Sequence, residues 1–151
     1  MRGFLTYLAV LIGIFIIMQF IPSYEKVNPD FDKSKEIKVS NELKSIFKRS
    51  CYDCHSYETD WPWYADVAPM KWIVRRDVVE GRKALNFSIW EDYDKERKDK
   101  LKKNIFRTIN LAMPLPQYLW FHREAKLSEN DKKIIRDWAS DGKGYIKIEI
   151  R

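Results

Sequence analysis

Reactive side chains are scarce in this chain of 151 residues: it holds two cysteines and two histidines. That scarcity excludes much. A structural zinc needs four ligands, usually four cysteines or a mixture of cysteines and histidines. Only Cys51, Cys54, His55 and His122 could supply such a set, and the adjacency of Cys54 and His55 suits tetrahedral closure poorly. A thioredoxin-like redox pair wants a βαβ setting, whereas the chain leading into the cysteine pair looks helical. There is no internal repeat and no low-complexity segment. No A-x-A-like site follows the apolar N-terminal run, and no cysteine lies near its end. The first absence argues against a cleaved signal peptide and the second against a lipoprotein anchor.

What the chain does have is one concentrated motif, Cys51-Tyr52-Asp53-Cys54-His55. The pattern C-x-x-C-H is the attachment site of c-type haem. Two thiols three positions apart can each add to a vinyl group of one porphyrin. The imidazole that follows is then held beneath the ring as proximal iron ligand. Every cysteine of the chain and one of its two histidines lie in this pentapeptide, so chance is a poor explanation of it. The expected cofactor is one covalently bound haem c.

Phe4 to Ile21 is an uncharged run of 18 residues, with Arg2 before it and Pro22 and Ser23 after. It meets the lower limit for crossing a bilayer. The expectation is an uncleaved signal anchor in the bacterial cytoplasmic membrane, with Arg2 inside and the haem domain on the periplasmic, extracytoplasmic side. Haem chemistry agrees, because c-type attachment takes place outside that membrane. About 130 residues remain, enough for one domain. The expected division is residues 1–22 as membrane helix, 23–38 as linker, 39–142 as haem-binding domain and 143–151 as C-terminal tail. Arg2 is the only charge before Glu25, so the +6 of the whole chain leaves +5 outside. That mild excess fits a solvated surface. Both signs alternate from Asp94 to Lys103, which reads as a salt-bridged face and argues against a nucleic-acid partner.

The rest of the chain reads as helices. Ser40 caps one running to about Ser50, with Leu43, Ile46 and Phe47 on one face. Ser56 to Ala68 reads as a loop. Pro69 suits the start of a helix to Gly81, its expected stop, with Trp72, Ile73 and Val79 among its apolar residues. Ser88-Ile89-Trp90-Glu91 looks like a capping box for a short helix. A longer helix is expected from Asp94 to Leu111, buried through Leu101, Ile105, Phe106 and Ile109. Met113-Pro114-Leu115-Pro116 cannot continue it. Ser128 to Asp131 caps a last helix to about Asp141, with Ile134, Ile135 and Trp138 inward and Gly142 as terminator. The tail from Gly144 is a short edge strand or a loose end.

The second axial position has three candidates outside the membrane run: Met70, Met113 and His122. Met113 is favoured, because Pro114 and Pro116 make an extended, stiff loop that can press a thioether toward iron. His122 is the alternative distal ligand, or a hydrogen-bonding group near the haem or at the surface. Met70 reads as core.

With these residues in view, the chain resembles the bacterial haem-binding domain family of monohaem, cytochrome-c-like proteins. The likeness covers roughly Glu36 to Asp141. It is carried by Cys51 to Ser56, Thr59-Asp60-Trp61-Pro62-Trp63-Tyr64, Ala68-Pro69, Glu80-Gly81-Arg82, Leu85-Asn86-Phe87-Ser88 with Trp90, Met113-Pro114-Leu115-Pro116, His122 and Ala125-Lys126-Leu127-Ser128. The resemblance implies thioethers at Cys51 and Cys54, iron ligation by His55 and Met113, and an all-α, cytochrome-c-like fold around one covalent haem. The resemblance says less about role, and two functions compete. One is a membrane-tethered electron carrier serving a membrane-associated redox partner. The other is a haem enzyme, peroxidase-like, or a gas or redox sensor with an open distal site, in which His122 could act as acid–base group.

Overall fold

The computed structural model describes residues 2–143, and the C-terminal tail from Gly144 lies outside the described residues. Those residues form seven α-helices joined by loops and short 3-10 turns, and none of them is in a strand. The fold is all-helical with one apolar helix at its N-terminal end.

That first helix, α1 (Arg2–Phe20), has 19 residues, a length of about 28 Å at 1.5 Å per residue. Its stretch Gly3–Phe20 has mean hydropathy 2.2 and is not buried anywhere in the fold. Beyond it, α2 (Asn41–Ser50) opens on Ser40, whose side chain accepts from the Leu43 amide. Its Leu43, Ile46 and Phe47 are buried as their spacing requires. One further turn, α3 (Tyr52–His55), carries the rest of the cysteine motif. Helix α4 (Met70–Ala84) packs across α3. Helix α5 (Lys95–Thr108) buries Leu101 and Ile105, with Ile109 just beyond its end. A short α6 (Pro116–Leu119) follows, and then α7 (Glu129–Ala139), which opens on a capping box between Ser128 and Asp131.

The core lies directly behind the motif. Phe87 stacks on Phe47 at 4.7 Å and on Tyr52 at 5.4 Å between centroids, and Trp138 meets Phe47 edge-on. Leu43, Ile46, Ile105 and Ile135 close around them. Rings of this size bury more apolar area per residue than any other side chain, so a few of them fix the floor on which α3 rests.

Some expectations need correction. Gly81 does not stop its helix, which runs on to Ala84. The buried positions of α4 are Lys71 and Val78, while Trp72, Ile73 and Val79 are half-buried. The turn Phe87–Asp92 is capped by Asn86, not Ser88; the Ser88 hydroxyl instead accepts from the Tyr57 amide. Helix α5 ends at Thr108, and Leu111 is exposed. Residues 23–38, expected as a linker, do not hang free. Arg82 donates to the Val27 carbonyl and to Asn28, the Asn28 amide donates to the Thr59 carbonyl, and Lys26 pairs with Asp66. The segment lies strapped along the domain.

Candidate functional site

Cys51 sits at the break between α2 and α3. Its amide closes α2 by donating to Phe47 O at 2.8 Å, while φ −134° turns the chain out of the helix. The next turn restarts at once, with His55 N donating to Cys51 O at 2.9 Å. Ser56 ends it through its hydroxyl, which donates to Tyr52 O at 2.8 Å and accepts from Glu58 N. The motif is thus a single helical turn fastened at both ends.

Helix α4 supplies the backing for that turn. Gly81 is where the two backbones meet: a methyl group there would stand 2.4 Å from the Cys54 carbonyl oxygen. Only glycine permits that approach. The same residue holds the histidine. His55 Nδ1 lies 2.9 Å from Gly81 O and 3.1 Å from Leu85 O. Both are acceptors, which assigns the proton to Nδ1 and leaves the lone pair on Nε2, as in a metal-binding histidine oriented by its surroundings. Burial holds the His55 pKa below its ordinary value, against the pull of the two carbonyls. Its neutral, metal-binding form is therefore favoured. Burial also pushes both thiols up to about 12, helped at Cys51 by Cys54 and at Cys54 by Asp53 and Asp77. Both cysteines are free of any disulfide.

Cys51, Cys54, His55 and Met113 line one cavity. Its volume is about 310 Å³, at the lower end of the roughly 300–1,000 Å³ typical of ligand sites. Phe47, Leu85, Phe87, Ile105, Ile109 and Leu115 make most of the wall apolar. Met113 reaches it through a turn after α5, in which the amides of Ala112 and Met113 both donate to Thr108 O. The Ser50 hydroxyl, also in the wall, is buried without a hydrogen-bond partner. An orphaned polar atom in an apolar wall fits a site whose ligand brings a polar group.

The other candidates stand outside this wall. His122 is not part of it. Its Nε2 lies 2.7 Å from the Tyr64 hydroxyl, its Nδ1 lies 3.2 Å from Glu124, and its ring stacks on Tyr118 at 4.3 Å. Met70 lines a smaller neighbouring space with Pro62, Ile73, Val74 and Tyr118. Met18 lies in α1.

Sequence reasoning missed two groups that shape the site. Tyr118 lines the cavity and donates to the Asp53 carboxylate at 2.6 Å; burial and that bond push its phenol pKa up. Arg82 donates to Ser56 O, Thr59 Oγ1, Asn28 Oδ1 and Val27 O, tying the strap and the loop after the motif to α4. Nothing in the sequence singles out Tyr118 among the aromatic residues near it. Gly81 left a readable trace, because the residues after it remain good helix formers.

The donor set fits a haem: two free thiols on one turn, an imidazole with its second nitrogen unprotonated, and a thioether from a distant segment, all on the wall of one mostly apolar cavity. The model of a family described as a haem-binding domain matches residues 13–141. No curated protein and no solved structure matches the chain.

Proposed function

The chain belongs to the haem-binding domain family, and on that premise we propose that it is a membrane-anchored, monohaem c-type cytochrome that carries electrons on the outer side of the cytoplasmic membrane. The observation that carries this reading is the meeting of Cys51, Cys54, His55 and Met113 on one apolar cavity. When bound, haem supplies an iron that exchanges single electrons.

The residues divide the work. Cys51 and Cys54 would hold the ring by thioethers. His55, oriented by Gly81 O and Leu85 O, would offer Nε2 to the iron, and Met113 would offer its thioether. Thioether ligation raises the potential relative to a second nitrogen. Phe47, Phe87 and Ile105 exclude water, so the surroundings reorganise little as the charge changes. A saturated iron needs no substrate site. The competing reading, a haem enzyme or sensor, needs an open distal site, whereas Met113 lies in the cavity wall; as an enzyme's acid–base group His122 is already engaged by Tyr64 and Glu124.

One set of contacts supports the anchor. Gln19, in the last turn of α1, accepts from the Ala68 amide through its side chain and from Lys71 Nζ through its carbonyl. Cleavage after residue 21 would strip both partners from a lysine and an amide that the fold covers.

Maturation with the c-type assembly machinery tests the proposal. Haem is expected to stay with the polypeptide through acid–acetone extraction. The ferric spectrum is expected to be low-spin with a methionine-to-iron charge-transfer band. Met113→Ala should lose that band and bind carbon monoxide readily when reduced, with the thioethers intact. Haem that extracts completely would sink covalent attachment, and an unchanged Met113→Ala spectrum would sink the methionine ligand.

A further inference from the structure

We propose that the end of the domain from which α1 emerges lies on the phospholipid surface, with Trp63, Trp120 and Phe121 set into the headgroup layer. This rests on the anchored reading. It adds that the domain is fixed in orientation on the bilayer.

The level of the bilayer follows from α1. If Gly3–Phe20 crosses the membrane, Gln19 stands at the outer edge of the hydrocarbon. Ala68 N bonds its side chain at 2.9 Å and Lys71 Nζ its carbonyl at 2.6 Å. Both groups then lie within the headgroup layer, which is roughly 5–8 Å deep on each side. The turn Trp63–Asp66 is joined to the same place, since Lys71 N donates to Val67 O and Arg75 Nε to Ala65 O, both at 2.9 Å.

The surface at this end has the composition of an interface with lipid. Among the described residues beyond the exit segment, the exposed large apolar side chains are Trp63 at 76%, Leu111 at 82%, Trp120 at 72% and Phe121 at 54%. Three of these four are neighbours: Tyr64 touches Trp63 at 5.9 Å and Phe121 at 4.7 Å between centroids, and Trp120 adjoins Phe121. At the exit itself, Tyr24, Trp72 and Arg76 line an open groove with Pro22. Tryptophan and tyrosine favour the boundary of a bilayer, where an apolar ring and a polar edge are both satisfied. Cations beside them suit lipid phosphates. In water the same rings would form an exposed patch of the kind that soluble monomers rarely keep.

Oxidative footprinting of the full-length, haem-loaded protein decides the matter. The protein is compared in single-copy phospholipid nanodiscs and in a lipid-free polymer belt, with Trp138, in α7 away from the exit, as internal reference. Trp63 and Trp120 are expected to be oxidised several-fold more slowly in the nanodisc, with Trp138 unchanged. Equal oxidation in the two settings, with the protein retained in the disc, overturns the docked surface and leaves the anchor standing. Protection that arises only when several copies share a disc overturns it in favour of a second copy of this chain. Protein that elutes without lipid overturns the anchor and the docked surface together.

Discussion

Gly81 is the residue least able to change. Its alanine variant would place a carbon 2.4 Å from the Cys54 carbonyl oxygen, and the atom in the way is backbone. The helices must separate, at a cost of about 1–3 kcal/mol for overpacking. Alanine is the better helix former by about 1 kcal/mol, so a net destabilisation would mark the contact as the larger effect. Denaturant unfolding of Gly81→Ala should show it, and haem incorporation should fall because His55 loses its aligned acceptor. An unaltered midpoint and full haem loading would mean that α3 and α4 stand further apart than described.

Among elements, α7 shows how a helix end can also be a joint. The Asp131 carboxylate accepts from the amide and hydroxyl of Ser128 and from Arg49 of α2 at 2.8 Å. Burial pushes its pKa up, but those bonds outweigh burial and hold it below its ordinary value of 3.8. A carboxylate lowered in the folded state stabilises the fold fully above its unfolded pKa, and that stability is lost as pH falls through the lower, folded value. Asp131→Asn should therefore cost about 1 kcal/mol at neutral pH. The difference from wild type should shrink as the solution is acidified below pH 3.8. Thermal melts at several pH values check this, and a gap that stays constant into acid would exclude the carboxylate as its source. This joint is also a measure of what a sequence discloses. The caps at Ser40 and Ser128 were legible, as was the stripe Leu43, Ile46 and Phe47, because they depend on neighbours within one or two turns. The end of the helix before Met113-Pro114-Leu115-Pro116 was legible for the same reason, although Met113 lies in a turn on Thr108 O and not in an extended loop. The bond from Tyr118 to Asp53 and the contact of Gly81 with Cys54 were not, because they exist only once distant segments meet. The strap over residues 23–38 was hidden too: its polar, proline-containing sequence reads as linker, and its bonds go mostly to α4 and to the loop after the motif.

At the scale of the whole molecule, the fate of α1 decides where the protein works. Intact-mass measurement of the native protein should return a chain that keeps Phe4 to Ile21, recovered with membranes. A soluble chain beginning near Ser23 would rule out the anchor and leave a diffusing carrier. The cavity has its own division along the chain. Its floor is closed by contacts of His55 across 26 and 30 residues, whereas the bond from Tyr118 to Asp53 spans 65. Loop-closure entropy rises with length, by about 0.6 kcal/mol for each doubling, so the floor has the smaller closure cost and the roof the larger. Tyr118→Phe, which removes one bond from the roof, should speed hydrogen exchange across residues 113–119 and leave residues 51–55 as protected as before; equal loosening of both would deny the division. A site divided in this way is a cradle whose two sides close over different lengths of chain. The side that carries the thiols and the imidazole depends on the short closures, and the side that carries Tyr118 on the long one.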